Sequence, residues 1–373
     1  MASDLRAITS VPFLDLSLAH AGLKSEVLAD IGELIDSGAF TNGPQVEAFE
    51  RAFAAWCGAP LCVGVASGLD ALRLGLIAAG IEPGDEVIVP ANTFVATLEA
   101  VTQAGGIPVP VDVTERDYNI DPLAVAAEVD QRTRFVMPVH LYGQLADVRA
   151  LQRLGVPLIE DACQAHGATR DGIRAGTAGL AAAFSFYPGK NLGAFGDAGA
   201  LVTGDEQLAG MVRALREHGQ RAKYRHEIEG WTARLDTIQA IVLLRKLAEL
   251  DRWTEERRAA ARFYDEILAD AGDLRLPPVP EGSEPVWHLY PVRTGAPRRL
   301  AEFLRERGIG TGRHYPEPVH LAPAYVRLGR GRGAFPVAEA LAEELLSLPI
   351  FPGITELQQT AVAEAIADYF GRG

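Results

Sequence analysis

The chain has 373 residues, 48% of them hydrophobic and 23% charged, the make-up of a folded globular protein of about two to three domains. This excludes a disordered chain, a collagen-like repeat and a small disulfide scaffold. Thirty-five Lys and Arg against 49 Asp and Glu leave a net charge of −14, which opposes binding to nucleic acid or anionic membrane.

The opening MASDLRAITS is followed by no apolar segment of a secretory signal. No apolar run approaches the ~18 residues of a membrane span. Three cysteines, Cys57, Cys62 and Cys163, form no C-x-x-C pair, so a reducing, cytoplasmic setting is expected and no metal site. The only lysines are Lys24, Lys190, Lys223 and Lys246, which makes each worth inspecting.

The stretch before about residue 40 should hold its own helix. From about 60 to 205 short apolar runs alternate with helical patterns. LCVGV (61–65), EVIVP (86–90), IPVPV (107–111), RFVMPVH (134–140), VPLIED (156–161), AAAFSF (181–186) and GALVT (199–203) read as strands. Consecutive apolar positions suit strands covered on both faces. Between them Ser67, Thr93 and Asp121-Pro122 are expected to start helices. The rhythm predicts a three-layer α/β/α domain around a mainly parallel seven-stranded sheet. Helices are expected over 206–218 and 233–270. A proline-rich connector (274–285), a strand (286–292), a helix near 297–307, a glycine-rich turn and two closing helices then suggest a smaller α+β domain. The division falls at 1–250 and 251–373.

Three segments could carry chemistry. In VASGLDAL (65–72) a strand gives way to a helix through Ser67 and Gly68; a helix N-terminus offers N–H groups and a positive dipole end to a phosphate. In LIEDACQAHGA (158–168) a strand ends on Glu160-Asp161, where a carboxylate can meet a cationic ligand group. In FSFYPGKNLGAFGDAGA (184–200) Lys190 follows a strand and Ser185 adds a hydroxyl. A capped helix, a surface turn and a surface lysine would explain each segment alone. Together they supply what pyridoxal 5′-phosphate (PLP) needs: an amine, a carboxylate for the pyridine nitrogen and a phosphate cradle.

These segments, with GDEVIVPANTFVAT, PVHLYGQ, RLDTIQA and HYPEPVHLAPAY, resemble the DegT/DnrJ/StrS family of PLP-dependent nucleotide-sugar aminotransferases, which have the fold type I architecture. The resemblance runs from VPFLDL (11–16) to SLPIFPGIT (347–355). It implies that Lys190 carries the cofactor, Asp161 holds its pyridine nitrogen, Gln164 lies near its ring hydroxyl and Phe94 stacks on the ring. Ser67, Gly68, Leu69 and Ser185 would form the phosphate cradle. It also implies a homodimer with the active site at the interface. There the family's asparagine, which reaches the partner's phosphate, is replaced by Thr232. Leu69 and Ala198 are further departures.

For the anionic sugar substrate, the candidates are Tyr187, the Arg221–His226 run with Lys223 and Tyr224, and Arg313, His314 and Tyr315. His140 and His166 are expected to be satisfied polar groups. A lysine at 190, where the family's sugar dehydratases carry histidine, favours aminotransfer. The expected reaction moves an amino group from L-glutamate to a dTDP-linked 3-keto- or 4-keto-6-deoxyhexose, with antibiotic glycosylation as the setting. A keto-cyclitol aminotransferase and a non-catalytic PLP-binding regulator are the alternatives. A nicotinamide-dependent reductase is disfavoured, because no G-x-G-x-x-G follows the first strand.

Overall fold

The computed structural model describes residues 10–371; most of the opening segment read for a secretory signal lies outside them. In chain order the elements are α1 (Leu16–Ala21), α2 (Lys24–Ser37), α3 (Pro44–Cys57), β1 (Leu61–Val65), α4 (Gly68–Ala78), β2 (Glu86–Pro90), α5 (Ala96–Gln103) and β3 (Ile107–Val111). Then follow α6 (Pro122–Glu128), β4 (Thr133–Val136), α7 (Val148–Gln152), β5 (Ile159–Asp161), β6 (Ala181–Ser185), β7 (Gly199–Thr203) and α8 (Glu206–Leu215). The remainder comprises α9 (Thr237–Leu247), α10 (Leu250–Ile267), β8 (Tyr290–Arg293), α11 (Pro297–Arg305), α12 (Pro336–Glu344), β9 (Leu345–Leu348) and α13 (Glu356–Gly371).

Seven strands form the sheet in the order β3-β2-β4-β5-β6-β7-β1. It consists of two ladders joined by the parallel bridges Val136↔Leu158 and Val139↔Asp161. Every neighbouring pair is parallel except those of β7, which runs antiparallel to both β6 and β1. The strand interiors are buried on both faces, as the unbroken apolar runs require. Pro108 and Pro110 break no ladder because β3 is an edge strand, paired among the described residues with β2 alone.

The caps were partly legible. Ser67 accepts the Asp70 N–H at 3.0 Å, and Asp121 accepts the Leu123 N–H. Thr93 does not cap α5: the cap position is Val95, and Thr93 instead bonds the Thr97 hydroxyl.

The helix expected over 233–270 is two helices, α9 and α10. The first packs on α3 and the second on α13, and two packing partners impose two axes. Helix α10 joins β8, β9, α11 and α13 around a core of Tyr264, Tyr290, Leu300, Leu346 and Ile366; Val11 belongs to the same cluster. Among the described residues no helix is long and apolar enough to cross a membrane.

Candidate active site

A cavity of about 510 Å³ opens at the carboxyl ends of the strands, the place where open α/β sheets bind ligands. Ser67, Gly68 and Leu69 enter it after β1, Phe94 after β2, Asp161 and Gln164 at and after β5, and Ser185, Tyr187 and Lys190 at and after β6. His314 and Tyr315 close it from the glycine-rich turn.

The pleat of β5 separates two adjacent carboxylates, since successive side chains point to opposite faces. Asp161 faces the cavity. Its Oδ2 accepts the Thr97 hydroxyl at 2.9 Å and its Oδ1 accepts the Cys163 N–H at 3.2 Å. Because Thr97 donates to Asp161, Thr93 donates to Thr97 in turn. Glu160 points the other way and is fully buried. It accepts the N–H groups of Gly176, Ala178 and Gly179 and the His140 Nε2–H at 2.9 Å. The Ala146 N–H donated to His140 Nδ1 fixes that tautomer, so His140 is the satisfied group expected.

Burial works to raise the Glu160 carboxyl, but the His140 bond and the backbone donors outweigh it and hold it below its usual value. A depressed carboxylate stabilises the fold above the ordinary carboxylate range and loses that contribution as pH falls through its folded value. Glu160→Ala should cost ~3–5 kcal/mol at neutral pH, because buried donors lose their acceptor. Denaturant unfolding checks this, and the deficit should shrink in acid.

Lys190 sits in a loop whose backbone turns through the Lys190 N–H to Tyr187 carbonyl bond. Burial lowers its pKa, an effect only partly offset by Cys163 and Asp161. Among the described residues its amine makes no hydrogen bond or ion pair. Three histidines nearby are held neutral, chiefly by burial and then by the Lys190 charge: His166 falls to about 3, His314 to about 4 and His288 well below its ordinary value. His314 Nδ1 lies 2.9 Å from the Ser347 hydroxyl. His166 is not the fully satisfied group expected: among the described residues neither ring nitrogen has a partner in good hydrogen-bond geometry, and the ring lies against Phe184 and Phe186.

Gln164 Oε1 accepts the Tyr142 N–H at 2.8 Å, and Nε2 donates to the Tyr315 hydroxyl at 3.1 Å. The Tyr315 and Phe94 rings sit 5.4 Å apart at 35°, leaving Phe94 half exposed at the cavity mouth.

At the start of α4 the Ser67 hydroxyl is occupied by Asp70, at 3.0 Å to its N–H and 2.9 Å to its carboxylate. The N–H groups of Gly68 and Leu69 make no hydrogen bond among the described residues. Ser185 Oγ accepts the Tyr187 N–H at 3.3 Å, which leaves its proton for another acceptor. A Cβ at Gly68 would stand 2.7 Å from both Cys163 Sγ and Ser185 Cβ, so only glycine keeps this cradle open. An amine, a carboxylate already held by two donors, a ring face and a set of phosphate donors share one cavity, and PLP fits them.

Four expected residues lie elsewhere. The Arg313 guanidinium donates to the carbonyls of Ala342, Glu343 and Leu345 at the end of α12, where the helix dipole favours a cation. Thr232 Oγ1 meets His218 Nε2 at 3.0 Å. Lys223 lines a separate hollow of about 960 Å³, and Tyr224 beside it is 81% exposed. In turn, sequence reading passed over Phe13, Leu14, Thr97, Asp197 and His288, all of which line the cavity. Thr97, one helical turn after Thr93, carried a readable signal; His288, inside an apolar run, carried none.

The model of the DegT/DnrJ/EryC1/StrS aminotransferase family matches residues 22–367. The dTDP-3-amino-3,4,6-trideoxy-alpha-D-glucose transaminase of Streptomyces venezuelae is 48% identical over 366 residues, 97% of each chain. A crystal structure of DesV from that organism, in complex with a ketimine intermediate, superposes with a TM-score of 0.95 at 48% identity, covering 98% of this chain and all of the other. NtdA from Bacillus subtilis, with bound cofactor PMP, gives 0.90 at 31% identity over 98% of this chain and 86% of its own.

Proposed function

This chain belongs to the DegT/DnrJ/EryC1/StrS aminotransferase family, and from that premise we propose that it moves an amino group from L-glutamate to the C3 keto group of a dTDP-linked 6-deoxyhexose. The broader class, a PLP-dependent sugar aminotransferase of fold type I, follows from the family and its structural neighbours. The observation that carries the site assignment is the convergence of Lys190 and Asp161 on one cavity beside the open cradle of α4. The C3 position and the dTDP group rest on the Streptomyces venezuelae relative.

When bound, PLP supplies an electrophilic aldehyde and a ring that withdraws electrons from the donor's α-carbon. The chain supplies the rest. Asp161 would hold a proton at the pyridine nitrogen, its carboxylate kept aimed by Thr97 and the Cys163 N–H. Gly68, Leu69 and Ser185 would bind the phosphate. Phe94 would cover one ring face, and Gln164, fixed by Tyr142 and Tyr315, would meet the ring's edge. The Lys190 amine would act as the general base that accepts the proton of the donor's α-carbon and as the acid that gives it up again on the far side of the substrate nitrogen. His288 and His314, both held neutral, line the wall beside it without competing as cations.

A nucleotide diphosphate needs more cation than Lys190 provides. We assign that role to Arg221, Lys223 and Arg225 on the exposed hairpin 220–226, presented to a second copy's cavity together with Thr232 and Tyr224. The working unit is therefore a homodimer. On this reading the cofactor-binding domain ends near residue 250 and the smaller one follows, with Val11 packed into the core of the smaller one.

An absorbance spectrum with PLP, taken before and after L-glutamate, tests the first half. The near-visible band should fade as the pyridoxamine form grows. A band indifferent to glutamate rejects that donor, and no band in folded protein rejects the site. A panel of dTDP-3-keto, dTDP-4-keto and keto-cyclitol acceptors then decides the second half, and turnover confined to either of the last two rejects C3 amination of a nucleotide sugar.

A further inference from the structure

Lys246 occupies the last turn of α9 with only 3% of its surface exposed. Burying an ammonium is costly unless it is paired, yet among the described residues it has no carboxylate partner. Its Nζ donates instead to the Gly193 carbonyl and to His20 Nε2, the latter at 3.1 Å. The Phe195 and Trp253 rings lie 5.7 and 5.8 Å away, within cation–π range. Since His20 accepts at Nε2, its proton sits on Nδ1. The ring is neutral, its pKa pushed to about 4 by burial and by Lys246.

Each partner leads to the cavity. Gly193 lies three residues beyond Lys190 in a loop folded tightly on itself: a Cβ at Gly193 would stand 2.3 Å from the Pro188 carbonyl oxygen. The same loop is held by the Phe195 N–H to Gln239 Oε1 bond and by Asn191 Nδ2 to the Val286 carbonyl, both 2.8 Å. Gln239 and Lys246 both stand on α9. His20 belongs to α1, the helix directly after Phe13 and Leu14, which line the cavity. One buried cation thus joins the lysine loop, the N-terminal wall and the helix beneath them.

We propose that Lys246 is a positioning residue for Lys190, its ammonium clamping the Gly193 carbonyl and His20 so that the reacting amine and the Phe13–Leu14 wall keep a fixed relation. The inference rests on the assignment of Lys190 made above. A cation kept only for stability would be a poor choice here. Burial lowers its pKa to about 8, so the charged form destabilises the fold at neutral pH.

The test is Lys246→Met, a neutral side chain of similar length. Its melting temperature at pH 7 should stay within a few degrees of the parent's, relief of the buried ammonium offsetting the two acceptors left without their donor. Its kcat should fall ~10–100-fold, the effect of an ångström-scale misplacement, with KM for both substrates within about threefold. Independently of turnover, the pH midpoint for acetylation of Lys190 in the cofactor-free protein, read by peptide mass spectrometry, should rise. A loosened loop exposes the amine and returns it toward an ordinary lysine. Parent-like kcat and midpoint overturn the proposal, as does a loss of activity that only follows a lowered melting temperature. Should Lys246→Met not fold, Lys246→Gln, one bond too short for the clamp, is read on the same axes. If Lys190→Ala still turns over, the Lys190 assignment itself fails. If Lys190→Ala is dead and Lys246→Met is silent, only the clamp fails.

Discussion

Lys190→Ala should lose more than ~10⁴-fold in turnover while melting at or slightly above the parent's temperature. The first figure follows from the two duties that one amine performs in the proposed reaction, holding the cofactor and moving a proton, the second alone being worth ~10²–10⁴-fold. The thermal expectation follows from its surroundings. The amine makes no hydrogen bond or ion pair among the described residues, and burial lowers its pKa. Removing it orphans no partner and relieves a desolvated charge. The sign of the pH dependence is also fixed. A lysine depressed below its ordinary value becomes a neutral base at lower pH than a solvated one, so parent turnover should climb as pH rises through that value and hold above it. Lys190→Arg should be as inactive as the alanine variant, because a guanidinium keeps its proton at all accessible pH and is no amine nucleophile. Steady-state rates with saturating donor and keto-sugar, taken across pH, beside a thermal melt, check all four. Retained turnover in either variant removes Lys190 from the mechanism.

What the sequence disclosed and what it hid divide along physical lines. The sheet was legible because strands covered on both faces must be apolar at consecutive positions, as LCVGV and GALVT are. The carboxylate pair was visible as two acids ending a buried strand, but which acid faces the cavity depends on the register of β5, which a three-residue strand does not announce. The break between α9 and α10 was hidden because both halves are good helix formers and only their different packing partners separate them. Arg313 misled through side-chain direction: its backbone adjoins His314 and Tyr315, but its guanidinium turns to the carbonyls ending α12. Thr93 looked like a cap because hydroxyls before helices usually are. Here the hydroxyl is committed to Thr97, and through it to Asp161, so the misread cap belongs to the site. Lys246 was marked only by the scarcity of lysine, and its burial was hidden because a lysine on an amphipathic helix ordinarily points to solvent.

The chain Thr93–Thr97–Asp161 sets up the second large effect. Asp161→Asn should lower kcat by ~10²–10³-fold, the scale for removing one preorganised electrostatic partner of a developing charge, with PLP still bound through the cradle at Gly68, Leu69 and Ser185. The carboxylate accepts from Thr97 on Oδ2 and from the Cys163 N–H on Oδ1. Both oxygens are therefore held by donors while their remaining lone pairs face the cavity. An asparagine of the same shape must turn its amide nitrogen toward one of these donors. Turned toward the Cys163 N–H it sets donor against donor; turned toward Thr97 it forces that hydroxyl to accept and breaks the relay to Thr93. Either way a neutral amide cannot hold a proton on the pyridine nitrogen as a carboxylate does. Thr97→Val separates aiming from charge. It leaves the carboxylate in place but removes one donor, so its loss should be nearer tenfold, about the value of one hydrogen bond to a charged group. The order parent, Thr97→Val, Asp161→Asn in falling kcat, with similar cofactor affinity in an absorbance titration, is the result expected. An Asp161→Asn enzyme within about twofold of the parent would mean that another group protonates the ring.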